Sequence, residues 1–217
     1  MEVSRIRALR GPNLWSRHTA IEAIVTCPEV ELKLSANHPI EQRLRRIFPE
    51  VGPIEGSRSG QAPSMAHALE KVTLALQAHA GCPVTFSRTT ATEEPGVYQV
   101  VVQYSEEAVG RLALELAEKL CQSAMEGHGF DLESALAQLH ELDEDVRLGP
   151  STGSIVDAAV ARGVPFRRLT DGSLVQFGWG SQQRRIQAAE IDSTSAIAES
   201  IAQDKDLTKQ LLHAAGV

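Results

Sequence analysis

The alternation of apolar and polar residues predicts β-strands in the first half of the chain. Segments 2–9 and 19–26 alternate with period two, as expected for strands whose successive side chains point to opposite faces. Segments 83–89 and 97–104 are rich in β-branched and aromatic residues, and the turn residues Glu94-Pro95-Gly96 lie between them. We therefore expect a strand pair near the N-terminus and two further strands in the middle of the chain.

Helical periodicity predicts amphipathic helices in the same region. Met65, Leu69, Val72 and Leu76 fall at positions i, i+4, i+7 and i+11, so they form one face of a helix over 64–79. Further helices of this kind are predicted over 40–48, 106–126 and 131–144. Together with the strands, these helices predict an α+β domain over residues 1–148.

The composition of the chain changes near residue 149. The small-residue loop 149–154 precedes an apolar helix over 155–162, and Asp171-Gly172 between two short strands is a strong hairpin signal. The remaining predicted elements are a strand at 184–187 and helices at 195–203 and 205–215. This order predicts the opening of an α/β unit, so we expect a second domain over 149–217.

Composition and charge narrow the classes of function. The 217 residues carry a formal net charge of −7 and only 4% aromatic residues, a balance that disfavours nucleic-acid binding. No stretch approaches 18 uninterrupted apolar residues, so we expect no membrane span, and the first residues lack the apolar core of a secretory signal. Cys27, Cys82 and Cys121 are odd in number and far apart, which argues against a disulfide framework. We expect a cytoplasmic globular protein.

His67 and Glu70 form the first candidate site. On the helix over 64–79 they point away from the apolar stripe, where residues at i and i+3 could share a metal ion. A zinc site needs a third protein ligand, usually a histidine at i+4, but that position holds the cation Lys71. Ala75, one turn further on, offers no oxygen ligand. A polar helix face without a metal is the favoured interpretation, and a metal-dependent hydrolase is the alternative.

Two segments rich in glycine and serine could approach an anion. Loop 149–154 precedes a helix N-terminus, where backbone N–H groups attract anions, but Ser151 or Ser154 could instead cap the helix, and capping is favoured. The spacing of Ser154 and Asp157 resembles a capping box. Gly178-Trp179-Gly180-Ser181 lacks the third glycine of a dinucleotide fingerprint, so a tight turn is favoured there.

Lys205 is the candidate at the C-terminal end of the chain. It lies at the start of a predicted helix in which Leu207, Leu211 and Ala214 are expected to be buried. A lysine in the first turn is repelled by the positive end of the helix dipole. A phosphate near the same turn would convert that repulsion into attraction.

These segments resemble cyanophycin synthetases over essentially the whole chain. The residues that carry the resemblance are Ser4–Trp15, Pro95–Tyr98, Leu148–Thr152, Val175–Gly180, Arg185–Ala188 and Asp204–Val217. The last segment also resembles the entry helix of ATP-grasp ligases, in which Asp-Lys-x-x-Thr-Lys precedes Ala-Gly-Val-Pro. The resemblance implies an N-terminal domain over 1–148 and the start of an ATP-grasp domain, incomplete here, over 149–217.

The resemblance also implies an activity. Members of this family use ATP and Mg²⁺ to polymerise aspartate and arginine into cyanophycin, a polyaspartate backbone that carries arginine on each side chain. They are homo-oligomers, commonly tetramers, and their N-terminal domain helps to hold the polymer or its primer. By position, Lys205 matches a lysine that approaches the nucleotide phosphates. Ser151 matches a serine near the end of the growing polymer, and Glu199 a glutamate at the aspartate-adding site.

The sequence departs from the family pattern in two respects. Some relatives carry His-x-x-Glu-His and a further Glu on the helix equivalent to 64–79, and they resemble hydrolases that cut the polymer. Lys71 and Ala75 replace the second His and that Glu here. The chain also ends at Val217, where the family pattern continues with proline.

We therefore expect a fragment that has no hydrolytic metal site, depends on supplied primer and is inactive alone as a ligase. Half of an ATP-grasp lobe would expose apolar surface, so association or partial disorder is expected over 149–217. A stand-alone accessory module that binds the polymer is the remaining alternative.

Overall fold

The computed structural model describes residues 1–28, 34, 39–56, 62–188 and 190–216. The chain forms two compact units, Met1–Arg147 and Leu148–Val217. Each unit combines helices with an antiparallel sheet, so the α+β class expected for the N-terminal domain is confirmed. Among the described residues, no helix has both the length and the apolar character needed to cross a membrane.

The sheet of the first unit has four strands in the order β1-β2-β4-β3, and every neighbouring pair is antiparallel. The strands are β1 (Glu2–Leu9), β2 (Ala20–Thr26), β3 (Ser87–Ala91) and β4 (Val97–Gln103). Arg7, Glu22, Val101 and Arg88 lie opposite one another across the four strands. Residues that lie opposite one another share a face of the sheet, so these four side chains point to the same side.

The other face of the sheet is covered by helices. These are α1 (Pro39–Ile47), α2 (Met65–His79), α3 (Glu107–Glu126) and α4 (Leu132–Val146). Helix α2 contacts both α3 and strands β3 and β4, so it has neighbours on two sides. The predicted stripe on α2 is confirmed, since Met65, Leu69, Val72 and Leu76 are all fully buried.

Strand β3 begins later than predicted, at Ser87 in place of residue 83. The reason is the side chain of Gln103, whose Oε1 accepts hydrogen bonds from the backbone N–H groups of Thr85 (3.0 Å) and Phe86 (2.9 Å). These N–H groups are therefore satisfied by a side chain and not by a neighbouring strand.

The three cysteines all lie in the first unit. Cys27, Cys82 and Cys121 are buried and carry free thiols. Burial disfavours the thiolate and raises the pKa of the Cys82 thiol to about 11. A buried thiol with a raised pKa reacts slowly, so Cys82 serves packing and not thiol chemistry.

The second unit contains a four-stranded antiparallel sheet in the order β5-β6-β7-β8. The strands are β5 (Phe166–Arg168), β6 (Leu174–Phe177), β7 (Arg184–Gln187) and β8 (Glu190–Ile191). The helices are α5 (Pro150–Val160), α6 (Ala196–Gln203) and α7 (Lys205–Ala214). The hairpin predicted at Asp171-Gly172 is confirmed, since β5 pairs with β6 across that turn.

Two predictions for the helices of the second unit were wrong. Helix α5 begins at Pro150, so most of the predicted loop 149–154 is helical, because proline at a first helical position is preset for the helix. Gly149 occupies the N-cap position without a side-chain cap, and the Ser154 hydroxyl donates to the Pro150 carbonyl (2.8 Å). The predicted cap by Ser151 or Ser154 is therefore absent.

The predicted burial of Leu207, Leu211 and Ala214 was also wrong. All ten residues of α7 are described, and none of them is buried. Leu211 is 46% exposed. The apolar periodicity of α7 is real, but within the described part of this unit no element buries it.

Candidate functional site

Helix α2 places His67 and Glu70 inside the first unit. The sequence predicted a polar outer face, but His67 is only 2% exposed and Glu70 only 4%. Packing explains this burial, because α2 lies against both the sheet and α3. A helix with neighbours on two sides buries polar as well as apolar positions, and those polar groups then need partners.

The hydrogen bonds of His67 define the state of its ring. Its Nδ1 accepts a hydrogen bond from the Ser64 backbone N–H (3.1 Å) and lies 2.9 Å from the Ser64 hydroxyl. The edge of the ring packs against Tyr98, with the ring centroids 5.7 Å apart. Burial, the largest effect, lowers the pKa of His67, so the ring is neutral at pH 7.

This arrangement does not suit a metal ligand. A neutral imidazole whose Nδ1 accepts a hydrogen bond carries its proton on Nε2, the nitrogen that would have to bind a metal ion. Metal-binding histidines usually show the reverse pattern, with the second nitrogen donating to an acceptor. Among the described residues, no group of three His, Cys, Asp or Glu side chains is arranged to hold a metal ion.

Glu70 is held by neighbours from two elements. Its Oε1 accepts a hydrogen bond from the Ser87 hydroxyl on β3 (2.6 Å) and lies 3.4 Å from the ammonium of Lys71. The side chain of Lys71 is 37% exposed, so its cation remains in contact with water. Position i+4 from His67, where a zinc site usually places a second histidine, thus holds a cation beside the buried carboxylate.

A cavity of about 210 Å³ lies between α2 and the edge strand β3. Its lining residues are Glu55, Gly56, His67, Glu70, Lys71, Ser87, Arg88 and Thr89. The volume is smaller than the roughly 300–1,000 Å³ of typical small-molecule sites, so it suits a single side chain. Carboxylates, the Lys71 cation and hydroxyl groups occur together in this lining, which allows it to pair with charges of either sign. The Arg88 side chain points to the opposite face of the sheet.

Lys205 is the first residue of α7 and lines an open cleft at the junction of α6 and α7. The remaining lining residues are Ser200, Gln203, Asp204 and Asp206. The Asp204 carboxylate caps α7 by accepting from the backbone N–H groups of Asp206 (3.0 Å) and Leu207 (2.9 Å). The repulsion between Lys205 and the helix dipole is therefore offset by two neighbouring carboxylates.

The other two predicted ligands lie outside that lining. Ser151 is exposed in the first turn of α5, and Glu199 lies on α6, where it accepts from the Gln203 side chain (3.0 Å). Glu199 also has a carboxylate neighbour that the sequence did not indicate. Desolvation, together with the charge of Glu199 and a hydrogen bond to it, raises the pKa of Glu190.

Sequence reasoning also missed Ser87 and Arg88 in the cavity. The alternation in β3 was visible, but its predicted boundary was displaced, so the faces of these residues were not assigned. Pairing with β4 places Arg88 opposite Val101, and Ser87 opposite Val102 on the other face. Long-range pairing of this kind has no short-range signal in the sequence.

Comparison with known proteins agrees with the motifs described above. Residues 38–126 match the cyanophycin synthase-like N-terminal domain. The chain is 37% identical to the cyanophycin synthetases of Trichormus variabilis and of a Nostoc species, and 36% identical to that of Geminocystis herdmanii. Each alignment covers 100% of this chain but 26% of the relative, so the chain spans about a quarter of their length. The resemblance to cyanophycin synthetases is therefore confirmed, and within it residues 38–126 match the cyanophycin synthase-like N-terminal domain.

Proposed function

We propose that this chain is the polymer-binding N-terminal part of a cyanophycin synthetase, a ligase that polymerises aspartate and arginine. The observation that carries the proposal is the cavity beside β3, in which carboxylates and the Lys71 cation lie within one small space. The names of the relatives support the enzyme class, and the chemistry of the cavity supports the role of this unit.

The polymer carries charges of both signs on every repeat. An arginine joined through its amino group to an aspartate side chain keeps both its guanidinium and its carboxylate free. Carboxylates such as Glu70 bind a guanidinium through two parallel hydrogen bonds, and a cation such as Lys71 binds a carboxylate. A buried carboxylate is costly unless it is paired, so Glu70 gains from such a ligand.

The polymer-binding proposal is tested by titrating soluble cyanophycin into the chain by calorimetry. Glu70→Gln and Lys71→Ala should each weaken binding about tenfold, because each removes a charged hydrogen-bonding group. The matched controls are Glu133→Gln on α4 and Lys119→Ala on α3, which are exposed and lie outside the cavity lining. No binding by the unmodified chain, or equal effects of controls and cavity variants, would contradict the proposal.

For the second unit we propose a role within a nucleotide-binding module. Lys205 is assigned to the phosphates of ATP, Ser151 to the end of the growing polymer and Glu199 to the incoming aspartate. The cleft at the α6–α7 junction does not by itself fit a triphosphate, because Asp204 and Asp206 place negative charge on both sides of Lys205 and Asp204 occupies the first N–H groups of α7. Nucleotide binding is therefore proposed for the complete ligase.

Ligase activity and assembly as a homo-oligomer likewise belong, in this proposal, to the complete enzyme. The chain incubated with ATP, Mg²⁺, aspartate, arginine and primer should release no phosphate above the blank. Phosphate release that requires both amino acids would overturn this part of the proposal and leave the polymer-binding role intact.

A further inference from the structure

Ser87 and Glu70 join the edge strand of the first sheet to helix α2. Ser87 lies opposite Val102 on β4, so its side chain is on the face of the sheet that the helices cover. The Ser87 hydroxyl donates to Glu70 Oε1 over 2.6 Å, a length typical of a charge-assisted O–H···O⁻ hydrogen bond. The serine therefore fixes the orientation of a carboxylate that belongs to another element.

The two oxygens of the Glu70 carboxylate differ in their contacts. The Ser87 hydroxyl and the Lys71 ammonium both approach Oε1. Among the described residues, none forms a hydrogen bond to Oε2, and Oε2 is not one of the fully enclosed polar atoms that lack a partner. Because Glu70 lines the cavity beside β3, Oε2 opens onto that space. A side chain that is otherwise buried thus keeps one oxygen for a ligand.

Glu22, another buried carboxylate of the first unit, shows the opposite case. Arg7 donates to its Oε2, and Trp15 and Gln99 donate to its Oε1. Burial alone would raise the pKa of Glu22, but these hydrogen bonds outweigh it and hold the pKa below its ordinary value. Both oxygens of Glu22 are occupied by donors of the protein itself, whereas Glu70 retains an oxygen for an external donor.

The groups around Glu70 suit a guanidinium better than an ammonium. A guanidinium presents its N–H groups in a rigid plane, so it gains from a carboxylate whose orientation is fixed, whereas an ammonium is a compact charge that needs no such orientation. Lys71 would repel a ligand that is only cationic. Each arginine of the polymer also brings a free carboxylate, which Lys71 can bind.

We infer that Ser87 is a positioning residue: it holds Glu70 in the orientation that binds the guanidinium of a polymer arginine, and it thereby makes the cavity select arginine over lysine. This inference rests on the proposed polymer-binding function. Without the hydroxyl, the Glu70 carboxylate rotates about its last side-chain bond, and its affinity for either cation then depends on charge alone. Ser87 therefore affects which side chain is bound more than it affects the total affinity for the polymer.

Three synthetic peptides test whether the cavity recognises a guanidinium. Each is a short polyaspartate chain whose side-chain carboxylates carry arginine, its neutral analogue citrulline, or lysine. In calorimetry, the unmodified chain should bind the arginine peptide about tenfold more tightly than the citrulline peptide and about fivefold more tightly than the lysine peptide. Equal binding of the arginine peptide and either of the other two would overturn the inference.

Variants on β3 separate positioning from a structural role. Ser87→Ala should reduce the preference for arginine over lysine to less than about twofold, and Ser87→Thr, which keeps the hydroxyl, should retain the full preference. The matched control is Thr90→Ala, because Thr90 lies on the same strand but on the opposite face and outside the cavity lining. The preference is a ratio of two affinities measured on one variant, and circular dichroism checks that each variant is folded.

The possible failures of the inference and of the proposed function differ. An unchanged preference in Ser87→Ala, loss of the preference in Ser87→Thr, or an equal loss in Thr90→Ala would overturn the inference and leave polymer binding intact. If the unmodified chain binds neither soluble cyanophycin nor the arginine peptide, both the inference and the proposed function fail.

Discussion

The two units of the chain differ in how much apolar surface they bury. In the first unit every helix contributes a fully buried side chain to one core, such as Leu44, Leu69, Leu120 and Leu139. In the second unit, the buried apolar cluster among the described residues consists of Val156, Val175 and Ile186. The second unit also leaves large apolar residues exposed, namely Ile155, Val160, Val164, Ile191, Ile197, Leu211 and Leu212.

Similar local signals in the two units therefore produce helices that are stabilised by different interactions. The helices of the first unit are stabilised by packing, since apolar burial is the dominant favourable contribution to folding. Helices α6 and α7 have no buried residue and are stabilised by their caps, Ser195 and Asp204. Isolated helices of this length are marginal in water, so local signals alone provide little stability.

The largest expected effect compares two leucines in the two units. Leu69→Ala should lower the free energy of unfolding by about 2–5 kcal/mol, because the residue is fully buried in the core. Leu211→Ala on exposed α7 should change it by less than about 0.5 kcal/mol. Urea unfolding is followed by Trp15 fluorescence in a Trp179→Phe background for the first unit and by Trp179 fluorescence in a Trp15→Phe background for the second. Similar losses at the two positions would contradict the contrast in burial.

The same change at two helical glycines should have opposite signs. A Cβ at Gly110 would lie 2.7 Å from the Tyr104 Cβ, so Gly110→Ala should destabilise the first unit by about 1–3 kcal/mol. A Cβ at Gly153 meets only the Leu148 carbonyl at 3.6 Å, so Gly153→Ala should stabilise α5 by about 0.5–1 kcal/mol. Thermal unfolding measures both changes. A neutral Gly110→Ala would show that α3 does not approach the sheet as closely as described.

Acid should act on the two units in opposite directions. The pKa of Glu22 is lower in the folded state, so its stabilisation is present above the ordinary glutamate pKa and is lost as the pH falls through the folded value. The pKa of Glu190 is raised, so its contribution is present below the ordinary pKa and is lost as the pH rises.

Glu22→Gln should therefore lower stability at pH 7 by about 1–3 kcal/mol, because it removes charged hydrogen bonds, and should flatten the loss in acid. Glu190→Gln should reduce the loss of stability that the second unit shows as the pH rises. Unfolding between pH 7 and pH 3, followed with the two tryptophans, checks both slopes. If the first unit loses the same stability in acid with and without Glu22→Gln, the attribution of that loss to Glu22 is wrong.

The smallest effect compares two aspartate caps. Asp131 accepts from the Ser134 N–H at the start of α4, and Asp204 accepts from two N–H groups at the start of α7. Each change to alanine should cost about 0.5–2 kcal/mol locally. Only Asp204→Ala should reduce helical circular dichroism in buffer, because α4 remains held by the buried Leu139. If Asp131→Ala reduces the helical circular dichroism signal and Asp204→Ala does not, this prediction is wrong.

Much of the fold could be predicted because its signals are short-range. Alternation located β1 and β2, and the stripe on α2 followed from spacing. The candidate site was less accessible. His67 and Glu70 were identified as chemically interesting residues, but their burial depends on the packing of α2 against the sheet and against α3. Ser87 meets Glu70 only because β3 pairs with β4.

The amino-acid sequence by itself determined which segments are helices and strands, where most turns fall and which family the chain resembles, since these depend on near neighbours and on motifs read along the chain. Tertiary structure alone decided which polar residues are buried and which charges meet. Glu70 meets Ser87 and Trp15 meets Glu22 and Arg88 because strand pairing and helix packing join segments distant in sequence. The physical reason is that burial and electrostatic pairing depend on distances in space, which no local pattern of residues specifies.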